Sequence, residues 1–156
     1  MKFEDILKVH SADLERIDKL IKDNCHGKSS LIEEVGNYIT SSGGKRIRPL
    51  LVIICAKLIN KDSSNYYNLS AAIELIHTAT LLHDDVIDNS HLRRGKKTVN
   101  SIWDNKVSIL VGDFLFSLSF QLMVKTGSMH ALDILSQASS QIADGEVNQL
   151  ESSKDL

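Results

Sequence analysis

The sequence predicts an all-α fold, a single bundle of about six helices, and three observations support this. The chain has 156 residues, of which 42% are hydrophobic, and contains one proline. Leucine and isoleucine recur at intervals of three and four residues, which is the spacing of one helix face. The alternation of apolar and polar residues that marks a half-buried strand is rare. The length is sufficient for one domain with its own core.

The helices can be placed from capping residues, turn residues and apolar stripes. A serine at 29 or 30 is a plausible N-cap, with Glu33 in the first turn behind it. Pro49 fits the first turn of a helix, where its missing N–H costs little. Residues 61–64 are expected to form a polar turn, and Gly127 begins another. The predicted helices span approximately residues 4–24, 30–40, 49–59, 66–89 and 104–125, with a last one beginning near 129.

Charge and cysteine content narrow the classes of protein that fit. The net charge of −2 gives no sign of nucleic-acid binding or of a polybasic membrane surface. Cys25 and Cys55 lie far apart without a metal-type spacing, which fits a reducing compartment. Apolar runs such as Leu50–Ala56 are shorter than the roughly 20 residues of a membrane span. We therefore expect a cytoplasmic protein without a transmembrane segment.

An acidic cluster lies near the end of the predicted helix 66–89. Asp84 and Asp88 are four residues apart, so they project from one face, and Asp85 lies beside them. Carboxylates at a helix C-terminus repel each other and the helix dipole, so something is expected to offset the cost. Carboxylate oxygens with open positions suit Mg²⁺, which shares its ligands with phosphates and water. A solvated acidic helix end is the alternative interpretation.

Two basic segments accompany the acidic cluster. The first is Gly43-Gly44-Lys45-Arg46-Ile47-Arg48, at the entrance of a helix. Glycines permit close backbone approach, and a helix N-terminus with cations can bind a diphosphate. The second is Arg93-Arg94-Gly95-Lys96-Lys97, shortly after Asp88. On their own, the two would equally fit an ordinary basic turn and a solvated loop.

His77 and the last helix each leave two interpretations open. His77 precedes Asp84 by seven residues, two helical turns, so both occupy one face. Its imidazole could donate to a diphosphate oxygen, although a satisfied core histidine fits the same pattern. In the last helix an apolar stripe is expected to lack a partner within the chain, unless this end simply frays. The stripe is formed by Ile134, Leu135, Ile142, Val147 and Leu150.

Five segments together resemble the trans-isoprenyl (polyprenyl) diphosphate synthase family. They are residues 43–49, 74–88, 93–95, 111–115 and 145–150, and the resemblance covers nearly the whole chain. Within the family the chain is most similar to bacterial octaprenyl diphosphate synthases. The resemblance implies the amino-terminal part of the isoprenoid synthase helical bundle. Residues 1–156 would then form a single domain that stops before the family's second aspartate-rich motif, so we expect an incomplete bundle.

The resemblance also implies a role for each matching residue. Asp84 and Asp88 would ligate Mg²⁺, with Asp85 supporting the cluster. Lys45, Arg48, His77 and Arg94 would bind the diphosphate of isopentenyl diphosphate, and Arg93 would contact the allylic diphosphate. Ala79 and Thr80 precede Asp84 by five and four residues, roughly 6 to 8 Å deeper along the helix. Their small size would leave a pocket open for longer products, although small residues also let helices pack closely.

The implied activity is the condensation of isopentenyl diphosphate with an allylic diphosphate, for which farnesyl diphosphate is a candidate. Since the second aspartate-rich motif is missing, we expect the chain alone to turn over little. It would act as a homodimer or with a complementing chain that carries the other half. A decayed remnant and a non-catalytic subunit that binds or regulates a full-length synthase are the alternatives.

Overall fold

The structure, a computed structural model, describes residues 2–59 and 65–154. Within these residues the chain forms eight helices and one two-stranded antiparallel hairpin. The helices are α1 (Phe3–Val9), α2 (Ser11–Cys25), α3 (Ser30–Ser41), α4 (Ile47–Leu58), α5 (Asn65–Ile87), α6 (Val99–Ile102), α7 (Asn105–Lys125) and α8 (Met129–Lys154). The hairpin strands are β1 (Leu92–Arg93) and β2 (Lys96–Lys97), between α5 and α6. The turn predicted at 61–64 lies outside the described residues.

The all-α prediction is confirmed, and most helix boundaries agree within two residues. Ser29 caps α3, since its hydroxyl accepts a hydrogen bond from the N–H of Ile32, and Asp104 caps α7 through the N–H of Val107. The predicted helix 4–24 is wrong as one element. It is interrupted at His10, whose φ of −107° and ψ of 14° leave the helical region. Neither glycine nor proline lies at the break, and the apolar spacing continues across it. The sequence therefore gives no local sign that the helix is interrupted.

The core forms around α5 and α7, which pack along most of their lengths. Helices α2 and α4 contact α5 as well, and α3 lies on α2. The buried hydroxyl of Ser108 donates to the carbonyl of Leu82, which joins the two central helices. Gly112 is required for their close approach, since a Cβ there would lie 2.3 Å from Nε2 of His83. The carboxyl end of α5 is therefore fixed by α7.

Helix α8 is less well covered than the central pair. Leu135 packs against the core, whereas Ile134, Ile142 and Val147 are about half exposed. The structure thus agrees with the predicted shortage of apolar partners along this helix.

Helix α7 is long and apolar enough to cross a membrane, judged by length and composition alone. The sequence analysis judged the apolar runs to be too short for a membrane span, and it therefore overlooked this helix. One such helix is weak evidence, because core helices pass the same test. Helix α7 contributes Val111, Leu115, Leu118, Leu122 and Met123 to the core.

Candidate functional site at the carboxyl end of α5

The acidic cluster lies where α5 ends. Although α5 ends at Ile87, the N–H of Asp88 donates to the carbonyl of Asp84 at 2.8 Å, so the helical turn continues through it. Asn89 then adopts a φ of +50°. The N–H groups of Asn89 and Ser90 bond the carbonyls of Val86 and Asp85, which is a Schellman cap with asparagine in the left-handed position. Asp84 and Asp88 therefore lie one turn apart, as predicted.

A further carboxylate influences this cluster. Burial raises the pKa of Asp84, and the negative charges of Glu146 and Asp88 raise it further, while Arg93 acts in the opposite direction. Glu146 belongs to α8, and the sequence analysis gave it no role. Its segment was recognised, but no spacing along the chain connects it to Asp84. The charge of Glu146 acts on Asp84 because of the position that α8 takes in the bundle, where it contacts α7.

Asp85 points into the fold, away from its two acidic neighbours. Its side chain is 5% exposed, and its Oδ1 accepts a hydrogen bond from Nε of Arg93 at 2.9 Å, while Nη2 lies 2.9 Å from the same oxygen. Asp85 was predicted to support the metal cluster. In the structure its carboxylate instead contacts Arg93, the residue assigned to the allylic diphosphate. Asp85 holds an arginine beside the cluster and adds no surface carboxylate to it.

The first basic segment, residues 43–48, is called the basic loop below, and it turns one cation inward. Arg46 has a φ of +47° and a side chain only 13% exposed. Its Nη1 donates to Glu74 at 2.7 Å, and its Nη2 lies 3.0 Å from Asp18 without hydrogen-bond geometry. Burial raises the pKa of Asp18, which Arg46 opposes. Lys45 and Arg48 remain exposed.

The second basic segment, residues 92–97, is called the basic hairpin below. Its two-residue turn is formed by Arg94 and Gly95, with φ of +53° and +78°. Positive φ at both positions is the geometry of a type I′ turn, which matches the twist of paired strands. Nη1 of Arg94 contacts the carbonyl of Gly43 at 3.4 Å. A Cβ at Gly44 would lie 2.8 Å from that nitrogen, so the glycine admits the arginine.

His77 lies where the two basic segments meet. It is about half buried, and this burial lowers its pKa. The charges of Arg48, Arg94 and Arg93 lower the pKa further, against the opposing influence of Glu74. Burial and the guanidinium groups together favour the neutral imidazole, and a neutral imidazole can donate one hydrogen bond to an anion. The family resemblance predicted that His77 is grouped with Arg48 and Arg94, which no spacing along the chain indicates.

A cavity of about 110 Å³ occupies the space between these elements. Among the residues that line it are Gly43, His77, Asp85, Arg93, Arg94 and Lys96, with Tyr38 of α3 on one side. Lys45, Arg48, Asp84 and Asp88 lie outside this lining. The cavity is therefore a cationic pocket with the acidic pair beside it.

The two predicted chain-length residues have different environments. Ala79 is completely buried in the core, and Thr80 is half buried with its hydroxyl donating to the carbonyl of His77. Neither lines the cationic pocket. Their effect on product length stays a prediction.

The donor set fits Mg²⁺ better than a metal held by protein alone. Within residues 2–59 and 65–154 no group of three or more histidine, cysteine or acidic side chains is arranged to hold a metal. Mg²⁺ is commonly held by one or two carboxylates, with phosphate oxygens and water completing its octahedron. Asp84 and Asp88 can supply the two carboxylates, and the cationic pocket can accommodate a phosphate.

The arrangement of helices defines the class of protein as an isoprenoid synthase bundle. It superposes with a TM-score of 0.91 on the crystal structure of a decaprenyl diphosphate synthase from Rhodobacter capsulatus, at 44% identity over 96% of this chain and 46% of that one. A polyprenyl synthase from Caulobacter crescentus CB15, complexed with calcium and isoprenyl diphosphate, gives 0.90 at 46% identity over 96% of this chain and 45% of that one.

The family follows from sequence. Residues 29–156 match the family model of the polyprenyl synthetases, and the chain belongs to this family. The octaprenyl diphosphate synthase of Escherichia coli K12 is 42% identical over 150 residues, which are 96% of this chain and 46% of that protein. The chain thus spans about half the length of the curated relatives it matches.

Proposed function

We propose that this chain supplies the isopentenyl diphosphate site of a trans-polyprenyl diphosphate synthase, a Mg²⁺-dependent prenyltransferase. The observation that carries the proposal is the cavity that His77 lines together with Arg93 and Arg94 of the basic hairpin and Gly43 of the basic loop. Two segments far apart in sequence thus meet at one cationic pocket. Arginine matches the geometry of phosphate oxygens, and its charge counters that of a diphosphate.

The proposed residue roles are those that the family resemblance implies. Lys45, Arg48, His77 and Arg94 bind the diphosphate of isopentenyl diphosphate, and Arg93, held by Asp85, contacts the allylic diphosphate. Asp84 and Asp88 would hold Mg²⁺, which when bound supplies positive charge to the departing diphosphate. The allylic C–O bond breaks, and the diphosphate leaves with the electron pair. The double bond of isopentenyl diphosphate forms the new C–C bond, and a proton is then lost. No side-chain nucleophile is needed.

Binding of isopentenyl diphosphate to the purified chain in the presence of Mg²⁺, measured by calorimetry, tests the assignment. Arg48→Ala is expected to weaken binding about tenfold or more, because it removes a charge-assisted contact. Lys125→Ala is the matched control. Lys125 lies beside Thr126, whose carbonyl accepts from Asn65 at the start of α5, about 28 Å from Asp84. Equal losses in both variants would contradict a localised site.

Turnover is a separate question. The chain is incubated with labelled isopentenyl diphosphate, farnesyl diphosphate and Mg²⁺, with Asp84→Ala in parallel. We expect little or no apolar product from the chain alone, since it spans about half of its relatives. Product that disappears in the Asp84→Ala sample would show that this chain assembles a working site, which would refute the expectation of low turnover.

We further propose a cytoplasmic protein that works as a homodimer or with a complementing chain. Two free cysteines, Cys25 and Cys55, support a reducing compartment. The half-exposed apolar side chains of α8 support a partner. They equally favour a second candidate, a non-catalytic subunit that binds a full-length synthase. Co-purification with an intact synthase, together with turnover that is unaffected by Asp84→Ala, would favour that candidate.

A further inference from the structure

The basic hairpin carries Arg93 and Arg94, which line the cationic pocket together with His77, yet few interactions within the hairpin hold it in place. Its strands have two residues each, and an isolated two-stranded hairpin is marginally stable at best. All of its residues except Arg93 are exposed. The positions of Arg93 and Arg94 must therefore depend on contacts from outside the hairpin.

Tyr38 of α3 makes the shortest of these external contacts to the hairpin backbone. Its hydroxyl donates to the carbonyl of Lys97 at 2.6 Å. Its ring meets the ring of Trp103 edge to face, with centroids 5.6 Å apart. Trp103 follows α6, directly after the hairpin in the chain. Tyr38 therefore contacts both the last hairpin residue and the segment that anchors it to the core.

The other contacts from this side are weaker. The ammonium of Lys96 donates to the carbonyl of Ser41 at 3.1 Å, but this side chain is exposed and flexible. The Arg94 contact to Gly43 is long at 3.4 Å. A tyrosine ring has few rotatable bonds, and here it is fixed by an aromatic neighbour, so its hydroxyl is already oriented. Tyr38 also lines the cationic pocket.

We propose that Tyr38 is a positioning residue that clamps the basic hairpin, so that Arg93 and Arg94 face the diphosphate. The inference rests on the proposed function of the pocket. It adds that affinity for the diphosphate depends on a tyrosine hydroxyl that binds protein backbone and acts through the two arginines. The affinity of the pocket for a diphosphate therefore depends on the contact between α3 and the basic hairpin.

The first test is a double-mutant cycle on binding of isopentenyl diphosphate with Mg²⁺. Tyr38→Phe keeps the ring and removes the hydroxyl, and we expect roughly fivefold weaker binding with little change in melting temperature. In an Arg94→Ala background the same change is expected to weaken binding less, because one of the two arginines that it positions is gone. Equal weakening in both backgrounds would overturn the proposal.

Tyr67→Phe is the matched control for this experiment. It removes a hydroxyl that donates to Asp13 at 2.7 Å, near the start of α5 and far from the pocket. We expect this variant to bind as the unaltered chain does. If Tyr67→Phe weakens binding as much as Tyr38→Phe, the clamp is not specific and the proposal fails.

The second test does not depend on ligand. The hairpin contains Arg93, Arg94, Lys96 and Lys97, which are trypsin sites, so its release can be followed by limited proteolysis with mass spectrometry. We expect Tyr38→Phe to cleave several-fold faster within 93–97, and Tyr67→Phe to cleave there at the rate of the unaltered chain. An unchanged rate in Tyr38→Phe would overturn the clamp. If the unaltered chain binds no isopentenyl diphosphate, the proposed function fails, while the proteolysis still decides whether Tyr38 holds the hairpin.

Discussion

The basic loop and the basic hairpin have similar compositions and are held in different ways. Each turns one arginine inward to a buried carboxylate and leaves neighbouring cations exposed. Arg46 of the loop is 13% exposed and faces Glu74 and Asp18, whereas Arg93 of the hairpin is 38% exposed and faces Asp85. The loop continues into α4, where Pro49 and Leu50 are buried. Folding itself therefore fixes the loop, while separate contacts hold the hairpin.

The largest effect should come from removing the inward arginine of the loop. Arg46→Ala would leave Glu74, with a side chain 10% exposed, as an unpaired buried charge. Breaking such a pair from one side typically costs about 3–5 kcal/mol, and urea unfolding would measure the loss. Arg48 lies two residues beyond Arg46, is exposed and forms no ion pair among the described residues, so Arg48→Ala is expected to change the stability by no more than about 0.5 kcal/mol. Similar losses in both variants would contradict the distinction.

The corresponding change in the hairpin should cost less. Asp85→Ala removes the carboxylate that binds Arg93, but the arginine is 38% exposed and can regain water. We expect a loss of about 1–3 kcal/mol in the free energy of unfolding, together with weaker diphosphate binding. Asp88→Ala is the matched control and is expected to be neutral or slightly stabilising, because it removes repulsion with Asp84. A larger loss for Asp85→Ala than for Arg46→Ala would reverse the comparison.

The point of contact between the two segments can be altered with a smaller effect on stability. Gly44→Ala would place a Cβ 2.8 Å from Nη1 of Arg94. The end of an exposed arginine can move, so the free energy of unfolding should fall by less than about 1 kcal/mol. Affinity for isopentenyl diphosphate should fall more clearly, because Arg94 is displaced. Unchanged affinity would mean that Arg94 does not need this position.

The smallest expected effect is a shallow pH dependence from His77. Its folded-state pKa lies below the ordinary 6.5, so near that pH the unfolded chain binds more protons. This contribution to stability is therefore present above 6.5 and is lost as the pH falls below it. His77→Gln should flatten the difference in unfolding free energy between about pH 7 and pH 5. A slope identical to that of the unaltered chain would place the titration elsewhere.

The sequence predicted those parts of the fold that depend on local signals. The cap at Ser29 and the apolar stripes marked helices correctly, because each signal lies within a few residues of what it determines. The basic hairpin was missed, since strands of two residues show no alternation and its turn uses arginine before glycine in place of asparagine. The break at His10 could not be predicted, because neither glycine nor proline lies there.

Spacing alone predicted the candidate site only along a single helix, and the family resemblance added the residues of the two basic segments. The spacing of His77, Asp84 and Asp88 follows from helix geometry, and the structure confirms the turn that joins the two aspartates. The sequence could not indicate which arginine turns inward, because the partners of Arg46 lie on α2 and α5. Nor could it place Glu146 beside Asp84, since that proximity depends on how α8 packs.

The Schellman cap at Asn89 has a consequence for the order in which the site forms. It reverses the chain at once, so Asp85 and Arg93 are paired across only eight positions, whereas Arg94 and Gly43 meet across 51. Closing a loop of about ten residues takes on the order of 10–100 ns, far less than the assembly of a bundle. The carboxylate–arginine half of the pocket can therefore form transiently in a nascent chain. Its junction with the basic loop joins residues 51 positions apart and therefore forms only when the helices pack.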